Sequence, residues 1–158
     1  MGLITSLIAI TLRAGTSLVY ATIGETFTER AGILNLGLEG IMLMGAVSSF
    51  ATAYYTGNLA LAIVVALGVG GLMALIHAFL SVTMKANQVV SGLSITLFGT
   101  GFASFLGQRL GPESNGFYLV GLTGPRFSPL IAGGLAEIPI LGAILSQELC
   151  TYGTYILI

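Results

Sequence analysis

Charge is what this chain has least of. Only 7% of its 158 residues are charged, where an ordinary soluble domain carries about 25%. That leaves too little polar surface to clothe a water-soluble globule, and a net charge of −1 leaves no basic field for nucleic acid. Cys150 is the single cysteine, which excludes an intrachain disulfide and gives no sign of a thiolate metal cluster. Met1 to Leu12 holds no charge, so the N-terminus lacks the basic region of a cleaved signal and is expected to be retained as the first membrane segment. There is no nucleophilic triad, no metal-ligand set and no Gly-rich phosphate loop followed by lysine. No catalytic residue, cofactor or metal is therefore expected here.

What is present is apolar. Hydrophobic residues make up 55% of the chain, mean hydropathy is +0.99, and 23 glycines are spread through the apolar runs, as membrane helices allow. A span needs about 20 residues to cross a core of roughly 30 Å. The expected fold is all-α: a polytopic transmembrane bundle with spans near 3–24, 36–57, 58–84 and 89–108, and the start of a fifth at 149–158. All of 1–158 then belongs to one transmembrane domain. Between the fourth and fifth spans lies 109–137, rich in proline and glycine and expected as an extracytoplasmic loop packed on the membrane face. Small residues recur every four positions, as Gly45, Ser49, Ala53 and Gly57, as Ala66, Gly70, Ala74 and Ala78, and as Gly99, Ala103 and Gly107. Such ridges let helix backbones approach closely in lipid. Arg30 and Lys85 follow the first and third spans, so the positive-inside rule puts both loops in the cytoplasm and the N-terminus outside.

Polar groups inside such a chain are the candidates for function, because a charge at mid-bilayer costs about 2.5–3.5 kcal/mol on insertion scales. The richest stretch runs from Glu29 to Gly45, with three charges, Asn35 and four glycines, and is expected to form an elbow buried among protein neighbours. Glu39 is placed one turn into the second apolar run, on one helical face with Asn35. It reads either as a group on a solute path or gate, or as a structural partner of Arg30 or Arg13. Glu25, Glu29 and Arg30 suit a cytoplasmic boundary knot or a contact with another subunit, and Arg13 suits pairing with Glu25 or Glu39. Asn87, Gln88, Ser91, Ser94 and Thr96 enrich the start of the fourth span in uncharged hydrogen-bonding groups. These suit either recognition of a hydroxylated solute or ordinary bonds between helices. His77, deep in the third span without a carboxylate at helical spacing, reads as an interhelical hydrogen-bonding group. An ion-coupled carrier titrating Glu39 and His77, or a truncated non-transporting fragment, are the alternatives.

The stretches Leu12-Arg13-Ala14-Gly15-Thr16, Gly24-Glu25 and Glu29 through Ala46 resemble one family, the membrane permeases of bacterial ATP-binding-cassette importers for sugars, nucleosides and related solutes. Lys85 through Leu93, Leu97-Phe98-Gly99-Thr100-Gly101 and Ile138-Pro139-Ile140-Leu141-Gly142 are similar to the same family in the same order. The resemblance implies a multi-pass inner-membrane subunit that pairs with a second permease and sits on ATPase subunits carrying ATP and Mg. An extracytoplasmic binding protein or lipoprotein would deliver the solute. Family members are roughly twice this length, so the chain is expected to correspond to the N-terminal half, without the loop that docks on the ATPase.

Overall fold

In the computed structural model, residues 3–113, 119 and 122–125 are described, except for the side chains of Thr5 and Arg13. Four helices account for most of them: α1 (Leu3–Arg30), α2 (Leu38–Thr56), α3 (Leu59–Ala78) and α4 (Gln88–Arg109). Among the described residues, three stretches are long and apolar enough to cross a membrane: Ser6–Arg30, Leu59–Thr83 and Gln88–Arg109. The expected fifth span at 149–158 and most of the 109–137 loop lie outside the described residues.

The first helix is longer than expected. It runs 28 residues, about 42 Å at 1.5 Å per residue, because nothing between Gly24 and Arg30 breaks it. Glu25, Glu29 and Arg30 are therefore helical, and the elbow shrinks to 31–37. Thr16, Thr22 and Thr26 donate to the carbonyls of Leu12, Leu18 and Thr22, each at 2.8 Å, so these hydroxyls are satisfied within the helix. The helix ends at Gly32, whose φ of +82° only glycine adopts cheaply. The Ile33 N–H reaches back to the Thr28 carbonyl at 3.0 Å and the Gly32 N–H to that of Glu29 at 2.9 Å, a Schellman closure.

Residues Phe27–Arg126 form a compact unit built on α2, α3 and α4. A two-residue turn links α2 to α3. Gly57, at φ +67°, closes α2, and the Asn58 side chain accepts the Leu61 N–H at 3.1 Å to open α3. Beyond Ala78 the coil widens into one π-turn, Phe79–Thr83, where the Met84 N–H bonds the Phe79 carbonyl. Asn87 then caps α4, accepting the N–H groups of Val89 at 3.0 Å and Val90 at 3.3 Å.

The two helices flanking α3 in sequence run parallel to each other. Leu36 and Gly37 meet Gly92 and Ile95, Gly40 meets Gly99, and near the far ends the Tyr55 hydroxyl bonds the Leu110 carbonyl. α3 runs the opposite way, with Gly70 near Ile41 and Gly45 near Ala66. The shared core is Met44, Met73, Ile95 and Ala103, flanked by Ile41, Val47, Val69 and Leu106. Of the expected ridges, the one on α4 makes the tightest contact, through Gly99, but against Gly40 of α2 and not against the expected ridge that begins at Gly45.

Candidate functional site

The elbow is held by side chains from α3 and α4, and it is the backbone of 31–37 that they hold. Gln88 grips it twice, accepting the Leu34 N–H at 2.8 Å through Oε1 and donating from Nε2 to the Gly32 carbonyl at 3.3 Å. The Thr96 hydroxyl donates to the Leu36 carbonyl at 2.7 Å. His77, only 3% exposed, lies between α4 and the elbow, with Nε2 3.3 Å from the Leu34 carbonyl and Nδ1 3.1 Å from the Ser91 hydroxyl. A carbonyl only accepts, so Nε2 carries a proton toward Leu34, and in the neutral ring Nδ1 accepts from Ser91. Ser81, buried four residues on from His77 within the π-turn, sits 3.4 Å from Nε2. The interhelical role expected of His77 is thus what the packing gives it.

Glycine makes this clamp possible. A Cβ on Gly40 would lie 2.5 Å from the Ile95 carbonyl oxygen, one on Gly99 2.6 Å from Gly40, and one on Gly92 2.8 Å from the Leu36 nitrogen. All are backbone contacts, so no side chain can swing away. In lipid, where apolar side chains gain nothing by leaving the solvent, this closeness and the hydrogen bonds hold the helices together.

The candidate residues gather at this end of the unit, but differently from the sequence expectation. Asn35 precedes α2, so it does not share a helical face with Glu39; its Oδ1 accepts the Gly37 N–H at 3.0 Å and shapes the turn instead. Glu39 is exposed in the first turn of α2, where its charge complements the helix dipole, and it makes no ion pair among the described residues. Asn87 and Ser94 are exposed, Gln88 is half-buried and Ser91 is buried. The Ser94 hydroxyl returns to the Val90 carbonyl at 2.8 Å. Glu29 and Arg30 are exposed at the end of α1 and Glu25 is half-buried. The Arg13 side chain lies outside the described residues. The elbow is not wholly enclosed: Gly37 and Gly40 are buried, but Leu34 and Leu36 remain 36% and 41% exposed. Sequence reasoning missed Ser81, although its place four residues after His77, on one helical face with it, was the available signal. It also missed the capping of Asn58 and Asn87, although asparagine just before an apolar run signals it.

Between the middle of α2 and the C-terminal half of α4 lies a cleft of about 570 Å³. Leu43, Ala46, Val47 and Phe50 form one wall and Thr100, Ala103, Ser104, Gly107 and Gln108 the other, with Leu119 and Leu122 at its edge. Among the described residues no group of His, Cys, Asp and Glu is arranged to hold a metal.

Apolar helices joined through glycine backbone contacts and buried polar clamps define a multi-pass α-helical membrane protein. Residues 7–146 match the family described as the branched-chain amino acid transport system / permease component, and the chain belongs to that family. It is 38% identical, over 96% of its length, to the putative glucose ABC transporter permease protein TsgC13 of Haloferax volcanii. It is 29% identical over 92% to the guanosine ABC transporter permease protein NupQ of Bacillus subtilis, and 34% identical over 82% to the nucleoside ABC transporter permease protein NupC of Lactococcus lactis. The chain spans less than half of each relative, 44%, 46% and 41% respectively. No solved structure matches it.

Proposed function

We propose that this chain forms part of the translocation path of an ATP-binding-cassette importer for a nucleoside or simple sugar, as the N-terminal half of a permease domain. The observation that carries the reading is the family match across 7–146, joined to relatives whose names specify glucose, guanosine and nucleoside. ATP and Mg are handled on a partner ATPase, a second permease completes the path, and an extracytoplasmic binding protein or lipoprotein delivers the solute.

The chain lies in the cell membrane with its N-terminus outside and the elbow end in the cytoplasm. Arg30 and Lys85 both lie near that end, which supports this orientation. α2, about 28 Å long, packs between two helices of spanning length, which supports a fourth crossing. Asn35, Glu39, Asn87, Gln88, Ser91 and Ser94 then border the cytoplasmic mouth. The hydrogen-bonded elbow moves as one block when the ATPase works, and Glu29 and Arg30 face the membrane boundary or a partner. The test is uptake of labelled guanosine and glucose by the complete transporter in proteoliposomes. Uptake should need internal or external ATP on the ATPase side and vanish with an inactive ATPase. Uptake that persists without ATPase and collapses with the proton gradient would reject the proposal in favour of an ion-coupled carrier.

A further inference from the structure

The cleft between α2 and α4 is chemically uneven in a way that packing alone does not require. On α4, Thr100, Ser104 and Gln108 recur every fourth residue and so form one polar stripe along the wall. The Thr100 hydroxyl donates to the Thr96 carbonyl at 2.8 Å, which leaves its oxygen free to accept. Ser104 and Gln108 are exposed and make no hydrogen bond among the described residues, although Ser48, Ser49 and Thr52 on α2 all bond back to their own helix. Opposite the stripe stands Phe50, whose ring continues into Tyr54, stacked at 6.4 Å between centroids. None of the described lining residues is charged.

We infer that this cleft is a binding station for an uncharged, hydroxyl-bearing ring solute, on the way from the outer face into the membrane. The inference rests on the importer reading above and deepens it by naming the site and the kind of solute. The volume falls within the range of small-molecule sites, roughly 300–1,000 Å³. An aromatic face stacks on a heterocycle or on the apolar face of a sugar. A serine hydroxyl and a carboxamide supply donors and acceptors to ring hydroxyls or base edges without fixing a charge. A zwitterionic amino acid would find no counter-charge among the described lining residues, and burying its ammonium and carboxylate unpaired is strongly unfavourable. In the proposed orientation the cleft lies toward the outer face, where a delivered solute would enter. Neutral hydrogen bonds of this kind also hold weakly enough to release what they bind.

The experiment uses the complete transporter in proteoliposomes, with Ser104→Cys introduced in a Cys150→Ser background and guanosine, glucose and leucine as probes. If the cleft is the station, guanosine or glucose slows labelling of residue 104 by a methanethiosulfonate reagent at least about fivefold, and leucine does not. Gln108→Ala and Phe50→Leu each raise KM for the protecting solute by about threefold to tenfold, the effect expected of one neutral hydrogen bond or one ring contact, with kcat little changed. Wild-type uptake of guanosine or glucose with no protection at 104 and unchanged KM in both variants overturns the inference and leaves the importer reading standing. Protection by leucine overturns the choice of solute class. Absence of ATP-driven uptake of guanosine and glucose alike overturns the importer reading, and the inference with it.

Discussion

Replacing Gly40 by alanine adds one methyl group at the point where α2 and α4 lie closest. That methyl would sit 2.5 Å from the Ile95 carbonyl oxygen and 2.8 Å from the Thr96 Cα. Ordinary contact begins near 3.5 Å, so α2 must retreat from α4 by roughly 1 Å. Both obstructing atoms are backbone in the middle of a helix and cannot rotate aside. A shift of that size also stretches the Thr96 hydroxyl bond to Leu36, now 2.7 Å, past useful length. Overpacking costs about 1–3 kcal/mol and an interhelical hydrogen bond in a membrane about 0.6 kcal/mol, so the expected loss is about 2–4 kcal/mol. The matched control is Gly101→Ala on the exposed face of α4, where an added Cβ meets nothing within 4 Å. There the change removes glycine from a helix interior and should be neutral or stabilising by up to about 1 kcal/mol. Unfolding of the detergent-solubilised protein, followed by circular dichroism during SDS titration, should separate the two variants clearly. Equal stability of Gly40→Ala and Gly101→Ala would refute the glycine contact between α2 and α4.

Three further outcomes follow from the same geometry and read out in the same unfolding assay. His77→Ala removes the partner of the Ser91 hydroxyl and the Leu34 carbonyl at once, and should cost about 2–4 kcal/mol, more than Ser91→Ala; a double-mutant cycle should return a coupling of about 0.5 kcal/mol or more, and additive losses would mean the two side chains do not interact. Asn87→Ala should lose about 1 kcal/mol of helix capping while Asn87→Ser retains most of it, and equal losses for both would show that the cap is not what asparagine provides. Gly32→Ala meets no atom within 4 Å yet must adopt φ near +82°, so it should cost about 1–2 kcal/mol through backbone strain alone; a gain in stability would show that α1 does not close as described.

Where helices begin and end was largely legible in the sequence, because the signals are local. The apolar runs around Asn58 and Gln88 and the glycine at 57 bound α2, α3 and α4 to within a few residues. The error at α1 has a plain cause: Glu25, Thr26, Phe27, Thr28, Glu29 and Arg30 are polar enough to read as lying beyond a span that ends at 24, yet each tolerates a helix and none ends one. Reading Asn35 and Glu39 as one helical face failed for the complementary reason, since Gly37 delays the start of α2. His77 was recognised as a bonding group, but not that it would reach the Leu34 carbonyl, 43 residues away in sequence.

The sequence by itself determined the solvent of this protein and its family, because scarcity of charge and a long polar, glycine-rich motif need no partner to be recognised. It also determined that backbones would approach closely somewhere, since glycine at helical spacing has little other use in lipid. Only the tertiary structure decided that Gly40 meets Gly99, that Gln88 and Thr96 hold an elbow 54 to 60 residues distant, and that Phe50 faces Ser104 and Gln108 across a cleft. Those pairings depend on the register of α2 against α4, two helices separated by a third. Register is fixed by which ridge fits which groove and not by either helix alone.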